Sequence, residues 1–329
     1  MDAKQLRIVY MGTPDFAVEP LRRLVEGGYN VVGVVTVPDK PAGRGLRVQE
    51  SAVKRYASVA LPGVPLLQPV KLKDPEFVAS FEALYADLAI VVAFRMLPEI
   101  IWGMPEYGTF NLHASLLPQY RGAAPINWAV INGERRTGVT TFLLNREIDA
   151  GEILMQRELP ISDTDTAGTV HDGLMMLGAG LVVETVEGLA AGTVKSLAQP
   201  SGDEGMLRPA PKIFKEDGRL VAGDKTWGDY PVRELYNKVR GLSPYPGAWC
   251  DFPGNGGSAA PWTTAKILAA HIEPFTSDQR TQAMGAGFET DGRRWLRVAC
   301  ADGWLYVDRL QVAGKRAMEV EEFLRGYRI

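Results

Sequence analysis

Asn111 and His113 stand one residue apart in Thr109-Phe110-Asn111-Leu112-His113, a run whose composition suits a β-strand. Strand side chains alternate faces, so the amide and the imidazole point to one side while Phe110 and Leu112 point to the other. An amide can donate to a developing oxyanion, and an imidazole can donate to the same oxygen or move a proton. Asp149, in Asn145-Arg146-Glu147-Ile148-Asp149-Ala150-Gly151, adds a carboxylate that could orient the imidazole or take a proton from an amine. These are the parts for acyl transfer to an amine through a tetrahedral intermediate. No serine or cysteine has an obvious adjacent base, so the transfer is expected to be direct, without a covalent enzyme intermediate. Each residue also has a structural reading: a lone strand histidine is commonly a packing residue, and Asp-x-Gly is ordinary turn chemistry.

The elements around these residues suit an open α/β sheet. The strand leads into Ser115-Leu116-Leu117-Pro118, a basic glycine-bearing turn at Arg121-Gly122, and a helix opening at Pro125. A strand end, a tight loop and a helix start are where such sheets place their chemistry. Asn111, His113 and Asp149 are therefore expected at strand ends on one edge of the sheet. Upstream, residues 6–10, a helix over about 15–26 ended by Gly27-Gly28, and the β-branched run 31–37 form a βαβ unit. Its first turn, Gly12-Thr13-Pro14-Asp15, has one glycine where a pyrophosphate loop needs the fuller G-x-G-x-x-G set. That disfavours a nicotinamide-dependent oxidoreductase.

Residues 38–47, PDKPAGRGLR, carry three cations against one acid, with two prolines and two glycines that deny the stretch regular structure. They read either as a solvated loop or as a basic arm for a phosphate backbone. Further elements follow: a helix from near Glu50, an extended piece around 64–68, a helix capped by Asp74-Pro75, a buried strand over 88–93, strands over 139–144 and 152–159, and a long helix capped by Thr166. The polar, proline- and glycine-rich segment to Pro211 reads as a linker, and short alternating pieces beyond it suggest a small β-barrel of OB type. The expected plan is residues 1–195 as an α/β catalytic domain with a Rossmann-like, mostly parallel sheet, 196–211 as linker and 212–329 as barrel.

With 329 residues, 46% hydrophobic and 23% charged, the chain is an ordinary globular one. Its net charge of −3 argues against a generic nucleic-acid binder. The charge is uneven, however, at −6 over residues 1–206 and +3 over 207–329, which permits contact with RNA through local patches. No apolar run approaches the length of a membrane span, and the N-terminus lacks a signal-peptide core. Cys250 and Cys300 fit free thiols in a reducing cytoplasm. His113, His171 and His271 form no ligand-spaced cluster with them, so no metal site is expected.

The pieces MGTPDFA, PDKPAGRG, NLHASLLPQYRGAAPI, GVTTFLLNREIDAGEIL and SPYPGAW occur in this order along nearly the whole chain. In them the chain resembles the methionyl-tRNA formyltransferase family. The resemblance implies formyl transfer from 10-formyltetrahydrofolate to the α-amine of methionyl initiator tRNA by a cytoplasmic monomer without a metal. It implies catalytic roles for Asn111, His113 and Asp149, folate contacts at Ser115, Leu116, Leu117 and Pro118, and tRNA contacts at Lys40 and Arg44, with the C-terminal barrel helping to hold the tRNA. The chain departs from the family pattern at Phe94-Arg95, where an aromatic-Gly pair is usual, and at Asn145-Arg146-Glu147, where an acid-x-Gly is usual. Two rival readings are a formyltransferase acting on an amino-sugar nucleotide and a non-catalytic RNA-binding protein that kept the fold.

Overall fold

The computed structural model describes residues 2–42, 47–200, 207–256, 261–276 and 287–329. The chain divides into two compact units. The first comprises Met1–Pro125, Arg136–Pro160 and His171–Ala210; the second comprises Ile126–Arg135, Ile161–Val170 and Pro211–Ile329.

The first unit is built on a seven-stranded sheet. Its elements are β1 (Ile8–Gly12), α1 (Val18–Glu26), β2 (Val31–Val35), β3 (Lys40–Ala42), β4 (Arg47–Gln49), α2 (Ala52–Ala60), β5 (Leu66–Leu67), α3 (Pro75–Glu82), β6 (Leu88–Val92), α4 (Glu99–Trp102), β7 (Thr109–His113), α5 (Pro125–Ile131), β8 (Arg136–Leu143), β9 (Ile153–Pro160) and α6 (Ala167–Ala191). The helices α5 and α6 each carry residues of both units. Strand order is β5-β2-β1-β6-β7-β8-β9. The first five strands are parallel, with β6 and β7 in the register Val91↔Asn111 and Val92↔Leu112. Their β-branched residues, apart from the partly buried Val32, are buried on both faces, as a helix-covered parallel sheet requires; β1 and β6 are buried along their whole length. Asp74 accepts from the Glu76 amide and Pro75 opens α3, as the sequence indicates.

Two expectations need correction. First, Asp149 does not start from the strand ends that carry Asn111 and His113: in a sheet that is mostly parallel as expected, β8 runs antiparallel to β7 (Phe110↔Leu143, His113↔Thr140), and β9 antiparallel to β8. The Asp149 loop therefore leaves the sheet beside Phe110, at the opposite end of β7 from His113, and must fold back along the strands to reach it. Second, the stretch 38–47 is not wholly without regular structure: β3 (Lys40–Ala42) and β4 (Arg47–Gln49) pair as an antiparallel ribbon, Lys40↔Gln49 to Ala42↔Arg47. Proline suits extended backbone and is tolerated in a strand with a free edge, where its missing N–H breaks no ladder. The ribbon is rooted by Asp39, which bonds Lys54 Nζ (2.5 Å) and Gln68 Nε2 (2.8 Å). Arg44 lies outside the described residues.

The helix α6 is also long and apolar enough, by length and composition, to cross a membrane, contrary to the reading of the sequence. Isolated charges at Asp172, Glu184 and Glu187 break up its apolar run without removing its overall hydropathy. Half of its most apolar window is buried: Thr185 Oγ1 meets Thr141 Oγ1 of β8 at 2.9 Å, and Gly178 lies against Leu112 of β7.

In the second unit, α7 (Val232–Gly241) packs on an antiparallel sheet of β10 (Ala248–Phe252), β11 (Thr263–Pro274), β12 (Glu289–Thr290), β13 (Leu296–Ala299) and β14 (Gly303–Val312). The pairing order is β10-β11-β14-β13-β12, and β15 (Met318–Glu319) pairs with β14 ahead of α8 (Val320–Leu324). Leu235, Val239, Phe252, Ile267, Leu305, Leu310 and Phe323 form its core. Cys250 and Cys300 are both free and buried, and burial pushes the Cys300 thiol up to about 12.

Candidate active site

The strand β7 ends at His113, whose side chain is buried against the edge of Phe142. His113 Nε2 lies 2.9 Å from the Tyr120 carbonyl oxygen. A carbonyl can only accept, so Nε2 carries the proton and Nδ1 is left facing the site. Asp149 Oδ2 lies 3.8 Å from that Nδ1 and accepts from the Gly122 amide at 2.9 Å. The structure therefore joins His113 and Asp149 despite the antiparallel β8. Asn111, two residues earlier on β7, is half-buried, and among the described residues its side-chain amide has no protein hydrogen-bond partner. An amide donor open to a ligand and an imidazole nitrogen beside a carboxylate are the groups an oxyanion-forming transfer to an amine requires.

The backbone here is strained in a concentrated way. Among the described residues four non-glycines have positive φ, and three of them flank the site: Ala93 (45°), Tyr120 (60°) and Asp149 (52°). Such conformations persist where surrounding bonds over-determine them. Gly122 has φ 123°, and a Cβ there would sit 2.5 Å from the Ala210 carbonyl oxygen, so only glycine presents its N–H to Asp149.

Ser115-Leu116-Leu117-Pro118 forms a turn whose polar groups are largely committed to the protein. The fully buried Ser115 hydroxyl donates to the Gln119 carbonyl at 2.6 Å. Thr140 Oγ1 of β8 donates to the Ser115 carbonyl (2.6 Å) and accepts from Leu117 N (3.2 Å) and Gln156 Nε2 (2.9 Å). Gln156 Nε2 also donates to the Leu117 carbonyl at 2.9 Å. Thr140 and Gln156 are thus the braces of this turn. Sequence reasoning missed them, although both lie on strand positions where a polar residue among apolar ones is a weak signal.

The two departures from the family pattern have structural accounts. Arg95 Nη1 donates to the Val70 carbonyl (2.8 Å), Nη2 donates to Pro69 O, and the guanidinium lies over the Phe94 ring. Asn145 Oδ1 accepts from Glu147 N (2.9 Å), and Arg146 makes a bidentate pair with Glu99 at 3.0 Å, so the loop is held without a glycine there. Lys40 is exposed at the start of β3. No group of three or more His, Cys, Asp or Glu side chains arranged to hold a metal occurs among the described residues.

A sequence profile described as "Formyl transferase" matches residues 6–186, and one described as "Formyl transferase, C-terminal domain" matches residues 212–328. The chain belongs to the formyl transferase family. It is 54% identical over 333 residues to the methionyl-tRNA formyltransferase of Bacteroides thetaiotaomicron, covering 100% of this chain and 98% of that one. It is 43% identical over 326 residues to that of Flavobacterium johnsoniae, with coverage of 98% and 96%. Among solved structures, HypX from Aquifex aeolicus in complex with tetrahydrofolic acid matches 97% of this formyl transferase at TM-score 0.63 and 18% identity. This chain spans 47% of the HypX chain. The sugar 3N-formyl transferase WlaRD matches 94% of this chain and 99% of its own at TM-score 0.63 and 18% identity. At such identities the likeness is one of fold.

Proposed function

We propose that the chain transfers the formyl group of 10-formyltetrahydrofolate to the α-amine of methionyl initiator tRNA. The observation that carries this reading is the 54% identity, end to end, with a methionyl-tRNA formyltransferase. The site supports the chemistry. The donor, when bound, presents a formyl group whose oxygen gathers negative charge as an amine adds to its carbon. Asn111 is the amide open to donate to that oxygen. His113 is fixed as the Nε2–H tautomer by Tyr120, so Nδ1 takes the amine proton and returns it to the folate nitrogen as the tetrahedral intermediate collapses and the bond between that nitrogen and the formyl carbon breaks, while Asp149 stabilises the intervening imidazolium across 3.8 Å. The site's amide donor and apolar half-buried residues suit a folate. Ser115–Pro118 would hold it through the faces of Leu116 and Pro118, since the Ser115 hydroxyl and the Ser115, Leu116 and Leu117 carbonyls are committed within the protein.

On this reading residues 1–195 carry the chemistry, and Lys40, Arg44 and the more basic 212–329 region hold the tRNA. The protein acts as a monomer in the cytoplasm. The rival reading takes an amino-sugar nucleotide as acceptor; the sugar 3N-formyl transferase WlaRD shares the fold at 18% identity. Incubation with labelled formyl donor and either methionyl initiator tRNA or an amino-sugar nucleotide decides between them, and label on the sugar alone would overturn the proposal. His113→Ala and Asp149→Asn should each lower turnover by about 10²–10⁴-fold, the range for losing an oxyanion donor or an orienting carboxylate.

A further inference from the structure

Asp149 holds its left-handed backbone at the end of a loop that has come back along the sheet, and one side chain ties that loop down. Gln199 Nε2 donates to the Asp149 carbonyl and to the Gly151 carbonyl, both at 2.8 Å. Gln199 Oε1 accepts from Arg121 Nε at 3.1 Å and from Arg121 Nη2. Both carbonyls can only accept and the guanidinium can only donate, so the amide has one possible orientation and all its strong bonds are made. Arg121 precedes Gly122, whose N–H is bonded to the Asp149 carboxylate. Gln199 therefore fastens the backbone on which Asp149 sits to the loop that receives its side chain. The neighbouring chain supports it: Leu197 pairs with Ile153 through bonds of 2.8 and 2.9 Å, and Ala210 N donates to the Arg121 carbonyl at 2.8 Å.

We infer that Gln199 is a positioning residue that sets the Asp149 carboxylate against His113 through the Asp149 and Gly151 carbonyls and Arg121. It acts on the reaction only through Asp149. The inference rests on the formyl-transfer reading for its kinetic consequence but not for its structural one.

The test uses Gln199→Ala and Gln199→Glu in the full chain. Gln199→Glu keeps an acceptor for Arg121 but sets a carboxylate against two carbonyl oxygens, so it separates loss of the loop clamp from loss of the arginine contact and guards against misfolding of the alanine variant. In both, kcat should fall about 10²-fold, the cost of a displaced catalytic group, while KM for donor and acceptor stays within about twofold. In an Asp149→Asn background the same substitutions should change kcat by less than about twofold, because the group they position is gone. Independently of activity, amide exchange at Gly122 should accelerate about tenfold in both variants as its bond to Asp149 opens. Unchanged kcat, a loss confined to KM, an undiminished loss in the Asp149→Asn background, or unchanged Gly122 exchange would each overturn the inference. If the wild-type chain moves no formyl group, the functional reading fails and the Gly122 exchange alone decides the role of Gln199.

Discussion

Replacing Thr140 with valine keeps the shape of a fully buried side chain and removes one hydroxyl. That hydroxyl serves three partners: it donates to the Ser115 carbonyl and accepts from Leu117 N and Gln156 Nε2. Gln156 retains its bond to the Leu117 carbonyl, but the Ser115 carbonyl and the Leu117 amide lose a buried partner. A buried polar group left unsatisfied costs about 1–3 kcal/mol, so the two together cost about 2–6 kcal/mol. Thr140→Ser keeps the hydroxyl and loses one methyl, a change worth about 1 kcal/mol in a packed interior. Urea denaturation of both variants, followed by tryptophan fluorescence, should rank wild type above Thr140→Ser and Thr140→Val well below both. The same turn is the proposed folate contact, so KM for the formyl donor should rise more in Thr140→Val than KM for the acceptor. A valine variant within about 1 kcal/mol of wild type, the low end for even one orphaned group, would refute the bracing role of this hydroxyl.

Gly122→Ala places a Cβ beside the Ala210 carbonyl in a backbone region closed to alanine, which should cost about 1–3 kcal/mol and lower kcat by moving the N–H that Asp149 accepts. Wild-type thermal stability and turnover together would refute this. The Lys54 ammonium and the Gln68 amide hold the Asp39 carboxyl below its ordinary value. The stabilisation from this contact is complete above the ordinary carboxylate range and is lost as pH falls through the lowered folded-state value. In Lys54→Met the Asp39 titration, read by carbon-13 NMR, should move back up, and an unmoved midpoint would count against the contact. Arg95→Ala should lose about 1.5–3 kcal/mol of stability, the value of hydrogen bonds from a charged donor, with turnover retained. A collapse of kcat at full stability would instead place the guanidinium in the chemistry.

The parts of the fold legible in the sequence are those with local causes. The runs at Val31–Val35 and Leu88–Val92, the Asp74-Pro75 cap and the Asn111/His113 alternation depend on neighbours within a few residues. The antiparallel turn of β8 and β9 was not legible, because strand direction is settled by tertiary pairing and leaves the period-2 pattern unchanged. The pairing of β3 with β4 is hidden by Pro41 and by glycines, and its root, the Asp39 contact with Lys54 and Gln68, spans up to 29 positions. Composition marks residues 196–211 as a linker. Leu197 nevertheless pairs with Ile153 at the start of β9, and Gln199, Arg208 and Ala210 bond to the loops that carry Asp149, Tyr120 and Arg121. Nothing in the local pattern of Gln199 distinguishes it from a solvated polar residue; its role exists only once the first unit has closed.

That dependence on late-arriving chain has a consequence for synthesis. A ribosome delivers the protein from its N-terminus at about 5–20 residues per second, and 50 positions separate Asp149 from Gln199. The carboxylate is therefore made about 3–10 s before the amide that ties down its loop. The segment ending at Ala210, which bonds Arg121, follows later still. During translation the nascent chain passes through an interval in which β7 and its histidine exist but the Asp149 loop has no clamp. The site is completed from its C-terminal side, by residues made after every group that would do the chemistry.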